Sequence, residues 1–138
     1  GFPRSEAYYQ MIGGKFVAHP AKAPAECTGS EEDFFIPHTI EITPVGKLHP
    51  ITRQLKDFEL ITELYWLLTD PYMHVLATTT QLAREGDPWD SEVISPAMWV
   101  RQWGKGKIFI CSPGHNLNIV AHDSVTTAIQ NGFIWASR

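Results

Sequence analysis

The chain has 138 residues, 43% of them hydrophobic and 12% aromatic, enough for one globular core and a single domain over residues 1–138. Eleven basic against fifteen acidic side chains give a formal charge of −4, which excludes the clustered cations of a DNA- or RNA-binding surface and of a polybasic membrane anchor. No apolar run nears the roughly 20 residues that span a bilayer, and two widely separated cysteines, Cys27 and Cys111, make no stapled scaffold, so a cytoplasmic setting is the default, with export left open.

In chain order, Ser5 to Ile12 predicts one short helix, with Ser5 as N-cap and Gly13-Gly14 as its stop. Pro20 to Asp33 is rich in Pro, Ala and acids and reads as an exposed loop. Phe34 to Thr43 alternates with period two, which puts His38, Ile40 and Ile42 on one face of a strand. A Pro-Val-Gly turn comes next, then a turn and short helical segment over residues 49–58. Phe58 to Leu67 is β-branched and aromatic enough for one strand, with helix as the competitor. His74 to Thr79 predicts a short buried strand and Gln81 to Ser95 a surface loop. Ala97 to Trp103 and Lys107 to Cys111 form a hairpin about a Gly-containing turn. Val125, Ala128, Ile129, Phe133 and Trp135 give Ser124 to Ala136 the spacing of a closing amphipathic helix. The mixture predicts an α/β or α+β domain.

Four clusters carry chemistry. Gly13 to Pro20 ends in a His-Pro corner that holds the His19 imidazole at a rigid turn, and His49-Pro50 is a second such corner. There His49 reads as a ligand, a general base or a cap for the segment after it. On a strand, Glu63 and Tyr65 point the same way, together with Ile61, whose face should be buried. A half-buried carboxylate beside a phenol suits hydroxyl-rich ligands, and burial can tune it as a general acid, although a Glu bonded to backbone fits as well. The strand after the hairpin exits through Ser-Pro-Gly-His, delivering Gly114 and His115 to the lip of a sheet, where open α/β folds bind ligands. No nucleophile elbow is present, and Cys111 sits in the apolar stretch KIFIC as a structural thiol. HExxH, EF-hand and P-loop motifs are absent, so any divalent metal would rest on histidines meeting in three dimensions.

The ordered string G-G-x-F-x-x-H-P, H-P-I-T, E-L-Y, S-P-A-x-W-x-R-x-x-G-K-G-K-I-F, P-G-H and a last helix ending in W-A resembles ThuA-like (trehalose-utilisation) proteins from about Ile12 to the end. The run from about Pro96 to His115 is its specific part. The resemblance implies a flavodoxin-like three-layer sandwich of the class I glutamine amidotransferase type, here without the family's N-terminal strands. It therefore also implies a missing segment or a homo-oligomeric partner to cover the sheet. No cysteine stands at an elbow, so glutamine hydrolysis is not implied. Carried over, the catalytic residues would be His115, His19 and Glu63. His49, Tyr65, Trp99, Arg101 and Gly114 would bind a small-molecule carbohydrate. The implied activity is on a disaccharide or an oxidised (3-keto) glycoside, with His115 or His19 as base. The alternative is a non-catalytic sugar-binding or accessory module, in which Trp66, Trp89, Trp99 and Trp103 stack on sugar faces.

Overall fold

The computed structural model describes residues 5–20 and 35–138. Among these residues, seven strands and three helices occur in the order α1 (Glu6–Ile12), β1 (Gly14–Ala18), β2 (Ile36–Ile42), β3 (Phe58–Thr62), β4 (Trp66–Thr69), β5 (His74–Gln81), β6 (Val93–Trp103), β7 (Gly106–Cys111), α2 (Leu117–Val120) and α3 (Asp123–Ala136). The expected loop from Pro20 to Asp33 and Cys27 fall almost wholly outside the described residues.

Five strands form one sheet in the order β3-β2-β5-β6-β7, and β1 pairs with β4 in a separate ribbon. Every ladder among the described residues is antiparallel, which corrects the expectation of a parallel central sheet. The connections explain it. A parallel pair needs a crossover of about a dozen residues or more, usually a helix. Here no helix lies between β1 and β7 in the described chain, and β6 turns straight into β7 through Gly104 at φ 57°. No described helix is long and apolar enough to cross a membrane.

The core lies on one face, where Ile40, Ile42, Leu60, Leu76, Ala77, Ala97, Met98 and Val100 meet Ile119, Val125 and Ala128 from the C-terminal helices. Helix α3 presents Val125, Ala128 and Gly132 to the sheet. Gly132 lies so close to the Phe109 ring that a β-carbon there would collide with it. Phe133, expected on the buried stripe, is instead 74% exposed, because Gly132 takes the close-contact position beside it.

The stretch from Phe58 to Leu67 is not one strand. Its first half pairs with β2, its second half with β1, and residues 63–65 bridge the two sheets. Leu60 and Thr62 face inward, so Ile61 points outward and is 53% exposed rather than buried. Residues 44–54 are successive turns with no helix, tied together by Thr52 Oγ1 donating to Gly46 O at 2.8 Å.

Candidate active site

Because neighbours in the sheet alternate in direction, β3, β5 and β7 all end at the same side. There the chain places Glu63 just after β3 and His115 four residues after β7. These are the two edge strands, which a flat sheet would hold about 19 Å apart over four inter-strand steps. Yet His115 Nδ1 lies 2.8 Å from Glu63 Oε2. The sheet curls toward itself, as twisted sheets do, and the Ser112-Pro113-Gly114 tail closes the rest. His19 arrives from a third direction, one residue after β1.

Backbone anchors hold this meeting point. His19 Nδ1 stands 2.9 Å from the Leu64 carbonyl, and Gln81 Nε2, at the end of β5, donates to the Tyr65 carbonyl at 2.9 Å. The bridge 63–65 is thus clamped between the ribbon and the large sheet. Phe16 packs beside both His19 and Tyr65, at ring distances of 5.1 and 5.9 Å. Phe35 sits edge-on to His115 at 5.5 Å.

The proton arrangement is dictated by donors and acceptors. A carbonyl oxygen only accepts, so His19 Nδ1 carries its hydrogen toward Leu64, assigned here from the hydrogen-bond partners. Its Nε2 then faces Glu63 Oε1 at 3.4 Å. Nε2 and Oε1 are near enough to share a proton. On the other oxygen, the Tyr65 hydroxyl donates to Oε2 at 2.8 Å beside His115 Nδ1–H. That leaves His115 Nε2 as the basic nitrogen of a ring whose side chain is 36% exposed. The carboxylate itself is buried. Burial first, and then the bond to Glu63 and its charge, push the Tyr65 phenol well above its usual range, so it stays a donor.

Of the other residues singled out in the sequence, Gly114 stays at the cluster and the rest lie elsewhere. His49 accepts from Ile51 N at 3.3 Å and packs edge-on to Trp135 of α3, so it caps a turn at the C-terminal helix. Trp99 is buried, and its Nε1 donates to the Ile12 carbonyl at 2.8 Å, holding the end of α1. Arg101 pairs with Asp70 and lies over the Trp103 ring. Gly114 is exposed beside His115. Trp66 and Trp89 stack edge-on with each other rather than lining the Glu63 cluster. Cys111 Sγ points to the Pro113 carbonyl, and burial pushes its thiol up to about 12. Gln81, Phe35 and Thr79 went unnoticed in the sequence. The alternation Ala77, Thr79, Gln81 on an inward strand face was the available signal for two of them.

Among the described residues, no group of three or more His, Cys, Asp or Glu side chains is arranged to hold a metal ion. Both imidazoles are turned to Glu63. The family model described as trehalose utilisation (ThuA) matches residues 2–136. No curated protein and no solved structure matches the chain. A match over nearly the full length, on a chain whose separated H-P, E-L-Y and P-G-H motifs partly converge on one carboxylate, makes this chain a member of the trehalose-utilisation (ThuA) family.

Proposed function

We propose that the Glu63 cluster is the active site of a carbohydrate-catabolic enzyme that cleaves an oxidised (3-keto) disaccharide or glycoside. The observation that supports it is a single buried carboxylate with two imidazoles and a phenol within 3.4 Å, one of the imidazoles reaching the surface. Two proton carriers on one orienting group suit an elimination.

A keto group at C3 of a sugar acidifies the hydrogen on C2. His115 Nε2 takes that proton, and the electron pair left behind forms the C1=C2 double bond as the C1–O bond breaks. The proton held between His19 and Glu63 goes to the departing oxygen, which leaves as an alcohol. Water then adds across the double bond, so the net reaction is hydrolysis. Glu63 aims both rings and stabilises the imidazolium that forms on His115, while Tyr65 fixes the carboxylate. Phe16 and Phe35 supply apolar walls against a sugar face.

The sugar-binding alternative drew on four tryptophans, and these do not gather at the cluster. The family's flavodoxin-like architecture belongs to the same proposal. With only antiparallel ladders in the described residues, its parallel layer would have to come from another segment or a partner chain, and the native mass tests the latter.

The test is a 3-keto disaccharide such as 3-ketotrehalose in D₂O. The intact protein should release the alcohol sugar and exchange the C2 hydrogen. His115→Ala should lower the rate by about 10²-fold or more. Unchanged turnover in that variant removes His115 from the chemistry, and no product at all from the wild type overturns the reading.

A further inference from the structure

Tyr65, His19 and His115 all reach the Glu63 carboxylate. Glu63 and Tyr65 also help wall a cavity of about 10 Å³, lined by His38, Thr79, Gln81, Ser95 and Ser112 among others. Ile40 and Ala97 belong both to this wall and to the apolar core, so the cavity sits where the core gives way to polar side chains. The cause is visible on β5. After a register shift, Ala77, Thr79 and Gln81 turn inward in succession, the first into the core and the next two into the cavity.

Thr79, Gln81 and Ser95 are 7%, 2% and 8% exposed. Among the described residues, the Thr79 hydroxyl has no hydrogen-bond partner. A hydroxyl buried in that way costs stability unless something satisfies it. The cavity has about the 10–15 Å³ that one water needs, and its walls offer the two to four polar partners that a buried water takes.

We infer that this cavity binds one structural water, anchored by Thr79 Oγ1, that helps hold Glu63 in place. Thr79 is then a positioning residue for the cluster. The water site rests on the fold alone; its effect on the cluster rests on the proposed active site. Thr62 provides the contrast. It is 1% exposed with an equally unpartnered hydroxyl, but it is not among the residues lining the cavity.

Valine keeps the shape of threonine and deletes the hydroxyl. Removing a dry buried hydroxyl is neutral or stabilising, and this is expected of Thr62→Val. Thr79→Val removes the anchor of the water and should lower Tm by about 3 °C or more. A crystal structure should show an ordered water within hydrogen-bond reach of Thr79 Oγ1 in the wild type and none in Thr79→Val. The NMR titration of the His115 imidazole should move in Thr79→Val, stay in place in Thr62→Val, and return in Thr79→Ser, which keeps the hydroxyl. A Tm for Thr79→Val that matches or exceeds that of Thr62→Val, or a dry cavity in the crystal, overturns the water site. A lower Tm with an unmoved His115 titration overturns the positioning role. None of these readouts requires turnover, so they decide the water site even if no keto sugar is cleaved.

Discussion

The contact between Tyr65 and Glu63 can be isolated by a double-mutant cycle of Tyr65→Phe, Glu63→Ala and the pair, without knowledge of any substrate. The phenol donates to a carboxylate at 2.8 Å, and a bond to a charged acceptor contributes about 1.5–3 kcal/mol net. Tyr65 is only half-buried and shares Oε2 with His115, so the lower end, about 1.5 kcal/mol of coupling, is the expectation. Tyr65→Phe alone should lower Tm by about 3–6 °C in a thermal scan monitored by circular dichroism. The pH dependence adds a second reading. Because the folded state raises the Tyr65 pKa, its contribution is complete below the ordinary value near 10 and is lost as pH rises beyond it. The wild type should therefore lose its advantage over Tyr65→Phe in alkaline buffer. A coupling below about 0.5 kcal/mol, the usual error of additivity, would mean that the phenol and carboxylate do not meet in solution, and the proton arrangement drawn for the cluster would fall with it.

Two half-buried groups give expected outcomes of their own. Burial lowers the His38 pKa, against the opposing pull of its bond to the Ile36 carbonyl. The unfolded chain thus takes up a proton before the native state does, and stability present above about pH 6.5 should decline as the solution is acidified. His38→Gln should flatten that part of the urea-midpoint curve; an identical slope would show that His38 is not desolvated. Cys111, with its thiol pushed up to about 12 by burial, should react with iodoacetamide about 10³-fold more slowly than a free thiol in a Cys27→Ser background, in proportion to its thiolate fraction. Labelling at the free-thiol rate would contradict its burial.

Much of the local structure was legible in the sequence because it depends on neighbours in the chain. Ser5 caps α1 by accepting from Tyr8 N, and Gly13 ends it with φ 79°, as short-range capping requires. The β6–β7 hairpin and α3 were readable for the same reason, from a turn glycine and a 3.6-residue stripe. The motif residues were also recognisable one by one: His19 as a His-Pro corner, Glu63 and Tyr65 as neighbours on a strand face, His115 as a strand exit.

Their meeting was a tertiary decision. Glu63 and His115 end opposite edges of one sheet, and only its curl and the tail after β7 bring them within 2.8 Å. His49 carries the same His-Pro signature as His19 but stands at a different turn and lands on Trp135 instead. Periodicity could not show that residues 58–67 break at Glu63 and join two sheets, because a period of two reads the same in either ladder. The chain encodes its turns and caps through contacts a few residues long. Which side chains face one another across the sheet depends on strand order and curvature, set by packing of the whole core.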